Sequence, residues 1–282
     1  MAWIGVVKIN ITQEQKNTNS VIGIKGQAID IIGSVLAGNV YQVKNTSGNK
    51  IVWENSAADL IENGTIDGQK FFQLYKNRGI VLNQSIFQKE STTPIIFSVK
   101  NSSETLNTLW ALGLAQESPI LSQGPMMDPR YGGADRFAST GGWTLSVGSA
   151  MNHYGKHSML SVTSEQQEQV LRVAQHIYRP CCDNPTSFPD CNHGMAMLGL
   201  LEILAKSGVT DQQMYDAALA ANVSWFPDNY ATIGMYLQSH PQEAAQLTSK
   251  DILGAQFSSS SGFVQIAQQV QDKPQGGSYC GA

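Results

Sequence analysis

Three of the four cysteines in this chain fall within eleven residues, and a histidine follows the last of them by two places. The segment runs Pro180-Cys181-Cys182-Asp183-Asn184-Pro185-Thr186-Ser187-Phe188-Pro189-Asp190-Cys191-Asn192-His193-Gly194-Met195. Thiolate and imidazole are donors for soft and borderline ions. Three sulfurs and one ring nitrogen fill the tetrahedral shell of zinc, and soft thiolates also suit copper(I) or an iron–sulfur centre. Pro180, Pro185 and Pro189 fix φ along the loop, which lowers the entropy lost when donors are gathered at one point. His193 stands at the mouth of an apolar helical run, where the helix dipole favours thiolate over thiol. The candidate ligands are therefore Cys181, Cys182, Cys191 and His193, for copper first and zinc second.

Two further residues join that list. Met195 completes Cys191-x-His193-x-Met195, a run with the ligand types found in blue-copper and dinuclear copper loops. Its spacings are tighter and its flanks helical, so the likeness is one of ligand chemistry only. Met195 and Met197 lie two apart and face different ways on a helix, and Met197 reads as core filler. Cys280 sits in the Gly-rich tail, placed to fold back as a ligand or to pair with another cysteine. The adjacent Cys181 and Cys182 share one ion only with a bent backbone, although they readily bridge two. A disulfide between them would be strained. Asp183, Asp190 and Asn192 read as turn caps or as partners for the second nitrogen of His193. His176 is a candidate supporting ligand one turn before Cys181. His153 and His157, four apart around Gly155, could share one ion on a helix but read rather as ordinary surface histidines, and His240 as a helix end.

Other chemistry is open to the same residue types. Cys182 or Cys191 with His193 supplies a nucleophile and a base for acyl transfer, but two-residue separation is close for partners that usually come from separate elements. A dithiol oxidoreductase usually carries Cys-x-x-Cys, a spacing absent here. A zinc or disulfide clip tying two helices is the structural alternative, and a chain of this length has core enough to fold without one.

The scaffold follows from period and composition. Only 14% of the 282 residues are charged, against the usual quarter, and Asn, Gln, Ser, Thr and Gly take their places. Such a surface suits work outside the cytoplasm. A net charge of −4 and the lack of Lys/Arg clusters argue against nucleic acid. No run of roughly 20 apolar residues spans a bilayer. The opening Met1-Ala2-Trp3-Ile4-Gly5-Val6-Val7 is either a buried strand or the stub of a removed membrane tether.

Residues 1–100 read as a small α+β portion, with strands at Ile51-Val52-Trp53, Ile80-Val81-Leu82 and residues 95–99, and helices at Gly26–Leu36 and Gly68–Lys76. Residues 101–257 read as a helical domain, and 258–282 as a flexible segment hinged at Ser258–Ser261. The first helix of that domain carries Leu106, Leu109, Trp110, Gly113 and Leu114 on one face and ends at Pro119. A Gly/Pro-rich stretch, 122–150, covers the site or serves a partner. Capping boxes are expected at Ser164/Gln167 and Thr210/Gln213. The helix from Gly194 to Ser207 is apolar nearly all round and must be buried on most sides. The whole is an α-rich α+β chain, read as an extracytoplasmic protein that binds a soft metal on an interhelical loop.

Overall fold

The computed structural model describes residues 26–271. Cys280 and the apolar opening segment lie outside them. Among the described residues helices dominate, with two small two-stranded sheets in the first part, which is the α-rich α+β arrangement the periodicity implies.

The first part begins with α1 (Gln27–Leu36), which buries Ala28, Ile31, Ile32 and Val35 at three- and four-residue spacing. Strand β1 (Tyr41–Gln42) follows, then β2 (Val52–Glu54), α2 (Ser56–Glu62), α3 (Gly68–Asn77), β3 (Ser91–Pro94) and β4 (Ile96–Phe97). Both pairs are antiparallel, with Tyr41 opposite Phe97 and Val52 opposite Pro94. Ile80-Val81-Leu82 is not a strand: it follows the turn at Gly79 and leaves Val81 93% exposed, with no strand among the described residues to pair it. Asp67 caps α3 by accepting from the Lys70 amide.

The central helix pair positions everything else. Helix α4 (Ser102–Ala115) buries Leu109, Leu112 and Leu114. It stops at Ala115, before Pro119, because Gln116 turns extended. Pro119 instead opens the short α5 (Pro119–Gln123), where its fixed φ and missing N–H suit the first helical turn. Stretch 122–150 holds short 3₁₀ turns and α6 (Ala138–Gly141). It is pinned to the body by the Trp143 indole donating to the Thr65 carbonyl and the Trp110 indole donating to that of Ser139.

Helix α7 (Ser164–Ala174) starts one residue earlier than the spacing suggested, with Thr163 and Gln166 forming the capping box. Helix α8 (Asn192–Lys206) buries every residue from Gly194 to Ala205. It crosses α4 so closely that a Cβ on Gly113 would lie 2.0 Å from the Met195 carbonyl oxygen, and one on Gly199 2.3 Å from that of Leu109. Helices α7 and α9 (Asp211–Trp225) pack against its other faces, which accounts for its apolar circumference. Thr210 and Gln213 form the expected capping box at the start of α9. Then come α10 (Pro227–Ser239), α11 (Pro241–Ala244), α12 (Ser249–Leu253), α13 (Ala255–Ser258) and α14 (Ser260–Gln271). The expected hinge at Ser258–Ser261 is instead a tight junction of two helices. Ser258 is buried there, its hydroxyl donating to the Ile252 carbonyl at 2.6 Å and bonded to the Tyr230 hydroxyl at 2.7 Å. One hydrophobic core runs from Ala28 to Ile266. No helix among the described residues is long and apolar enough to cross a membrane.

One charged group interrupts the buried surface of α8. Glu202 is fully buried and its Oε2 accepts from the Gln167 amide at 2.9 Å. Burial pushes its carboxyl up to about 7, against the lowering pull of Ser118 and Gln167. The folded chain therefore holds a proton that the unfolded chain releases, and stability falls as pH rises from the ordinary carboxyl range through about 7. This group makes the native state roughly 3 kcal/mol less stable at about pH 8 than at about pH 4. Glu202→Gln should raise the urea midpoint at the higher pH and leave it unchanged at the lower; equal effects at both would refute the assignment.

Candidate metal centre

The cysteine loop is held at both ends before any side chain reaches the site. On the α7 side, the Thr186 amide donates to the Ile177 carbonyl at 2.8 Å and that of Ser187 to Ala174 at 3.2 Å. The Tyr178 amide donates to the Leu253 carbonyl. Beyond Pro180 the chain folds back, and the Cys182 amide donates to the Arg179 carbonyl at 3.1 Å. That turn is the bent backbone two adjacent cysteines need. Helix α14 fastens it, since the Ser260 amide donates to the Cys182 carbonyl and that of Ser261 to Asp183 Oδ1. Asp183 is thus a clasp to α14 and not a partner of His193.

Arg179 organises the interior of the loop. Its side chain is 1% exposed, the largest fully buried one in the described chain. Nη1 donates to the Asn184 carbonyl at 2.7 Å, Nη2 to the Phe188 carbonyl at 3.2 Å and to Asp190 Oδ1 at 2.5 Å, and Nε to Cys191 Sγ at 3.1 Å. Asn184 Nδ2 donates to the other carboxylate oxygen of Asp190 at 2.8 Å. Asp190 therefore neutralises Arg179, and Asn192 accepts from the His193 backbone amide; neither orients the imidazole. Gly194 is required by the same packing, because a Cβ there would meet Arg179 Nη2 at 2.6 Å.

The donors converge. Cys181 Sγ lies 3.3 Å from Cys182 Sγ, 3.7 Å from Cys191 Sγ and 3.9 Å from His193 Nδ1. Cys191 is the N-cap of α8, its sulfur accepting from the Gly194 amide at 3.3 Å. Hydrogen bonds from the Cys181 and Cys182 thiols, then from the His193 ring, with the Arg179 charge, hold Cys191 well below the usual thiol range against the raising effect of burial. The converse holds for its neighbours. Cys181 is raised by its contacts with Cys182 and Cys191 and by burial. Cys182 is lowered by Cys181, but donation to Cys191 and burial push it up to about 12 overall. A thiophilic cation bound by these sulfurs would displace their protons. Cys181 is exposed, so the cluster opens to solvent on that side. The His193 ring is fixed by Phe226, with ring centroids 4.3 Å apart.

Two donor groups come within metal-holding reach: Cys181, Cys191 and His193, and Cys182, Asp190 and Cys191, the atoms of each within 4.8 Å of one another. A Cys/His cluster able to hold a metal ion is thus present. Met195 is fully buried in the hydrophobic core. His176 is exposed, its Nδ1 bonded to the Arg172 carbonyl, and belongs to neither group. His240 stacks on Tyr236 at the end of α10. His153 is not a surface residue: it is buried, with Nε2 3.1 Å from the Val147 carbonyl and Nδ1 3.1 Å from His157 Nε2. Burial and the neighbouring His153 hold His157 below the ordinary imidazole range.

The Gly/Pro-rich stretch backs the cysteine loop. The Ser139 amide donates to the Asp190 carbonyl at 3.1 Å, and Tyr131 and Phe137 each pack on Phe188 with centroids 5.5 Å apart. Arg179, Asn184 and Gly194 are the functional residues that sequence reasoning missed. The available signal was an arginine two places before the cysteine pair, between the apolar Ile177 and Pro180. Comparison with known proteins returns no match: no family model fits this chain, and neither a curated protein nor a solved structure is significantly similar to it.

Proposed function

We propose that this chain binds a soft metal ion through Cys181, Cys191 and His193, copper in preference to zinc, and does so outside the cytoplasm. The observation that carries the reading is the convergence of these donors on a loop whose shape is already set by protein–protein hydrogen bonds. Two thiolates and an imidazole form a three-donor set, which suits copper(I), whereas zinc would need a fourth donor to complete its tetrahedron. The charge-poor surface supports the location. The same hydrogen bonds argue against a mere structural clip, because Arg179 already performs the tying that a clip would do.

The test is elemental analysis of protein purified without added metal, with thiols counted before and after reduction. Copper near one equivalent or above, with protected thiols, supports the reading; zinc in its place would keep the site and overturn the choice of copper. Cys191→Ser should lose the metal and Met197→Leu should keep it, both checked for native helicity. Metal-free protein with a single hyper-reactive cysteine would replace this reading with nucleophilic catalysis. Two missing thiols restored by reductant would replace it with a disulfide.

A further inference from the structure

One ion among Cys181, Cys191 and His193 leaves Cys182 without a role, although its sulfur lies 3.3 Å from that of Cys181. The distances distinguish the two cysteine pairs. At a metal–sulfur bond of about 2.3 Å, the 3.7 Å between Cys181 and Cys191 subtends roughly 107° at the metal. That angle is close to tetrahedral. The 3.3 Å between Cys181 and Cys182 subtends only about 92°, well short of it. Cys182 instead belongs to the second donor group, with Asp190 and Cys191, and Cys191 is the only member common to both.

We infer that the cluster is a dinuclear centre, with the Cys191 thiolate bridging two soft ions. This rests on the metal-binding reading above and extends it. One ion is held by Cys181, Cys191 and His193, the other by the Cys182 and Cys191 thiolates, with the Asp190 carboxylate beside it as a neighbouring charge. Asp190 stays with Arg179 and Asn184, each of which donates to one of its carboxylate oxygens. Charge selects the ion. Three thiolates and the Asp190 carboxylate are four negative charges, and Arg179 supplies one positive. Two monovalent ions bring the cluster to one negative charge, whereas two divalent ions would leave it positive around a buried guanidinium. Copper(I) is the ion that combines one charge with thiolate preference.

The experiment is anaerobic titration of the full chain with copper(I), read by native mass spectrometry beside a competing chelator. The wild type should load two equivalents, and Cys182→Ser, checked by circular dichroism, should load one. Cys280→Ser should still load two. A wild type that stops at one equivalent, or a Cys182→Ser variant that still loads two, overturns the dinuclear inference and leaves the single-ion reading standing. A Cys280→Ser variant that loads one also overturns it and assigns the second ion to the tail. No bound copper at all would overturn both readings.

Discussion

Arg179→Ala should destabilise the fold by about 3 kcal/mol, the lower end of the range for breaking a buried ion pair, because the Asp190 side chain is partly exposed. The loss has a definite origin. Asp190 would lose its counter-ion, and the carbonyls of Asn184 and Phe188 would lose their donors in a closed loop. Urea denaturation measures it, and a change below about 1 kcal/mol would show that the network is ornamental. Arg179→Lys keeps the charge but not the planar fork that reaches four acceptors at once, so it should recover only part of the stability. The Arg179→Ala/Asp190→Asn pair should cost less than the two single changes added together, because the stranded carboxylate is gone. A second readout separates positioning from bulk stability. Under conditions where Arg179→Lys remains folded, its metal affinity should fall about 10–100-fold, as when an outer-sphere partner of a ligand is lost. Gly194→Ala tests the same contact from the other side, since its added methyl meets the guanidinium head-on.

Gly199→Val should be comparably damaging, by about 3 kcal/mol or more, at the upper end of overpacking effects. The added Cβ would stand 2.3 Å from the Leu109 carbonyl oxygen and 2.7 Å from the Gly113 amide nitrogen. Both are backbone atoms within a helix, so no rotamer change relieves the clash and α4 must move away from α8. Gly113→Val should behave in the same way against Met195. Gly208→Ala is the control. It has a positive φ of 67° but open space around it, so its cost should stay near about 1 kcal/mol. Thermal or urea melts of the three variants make the comparison, and equal losses at Gly199 and Gly208 would sink the close-crossing account. Because Cys191 and His193 lie at the start of α8, the Gly199 variant should also weaken metal binding without touching a ligand.

Local signals carried a large part of this protein. Helices α1, α3 and α9 follow from apolar spacing, with the Thr210/Gln213 capping box at the start of α9, since capping acts within a few residues. The burial of α8 was legible because an apolar surface on every side has only one stable place to go. The ligand types of the centre were legible too, as thiols and imidazole keep their chemistry in any fold. Ile80-Val81-Leu82 misled because β-branched residues form a strand only when a partner strand lies beside them.

The helical scaffold, and the gathering of Cys181, Cys182, Cys191 and His193 on one loop, were thus written in the order of the residues. Three-dimensional packing brought Cys181, Cys191 and His193 within reach of one another, lowered the Cys191 thiol below its usual range, and set a buried Arg179 at the centre of the loop. Those outcomes depend on distances of a few ångströms between residues one to twelve apart, and on packing by α9 and α14 from elsewhere in the chain. Spacing along the chain cannot encode either, because a non-helical loop has no period and the charge state of a sulfur depends on everything packed around it.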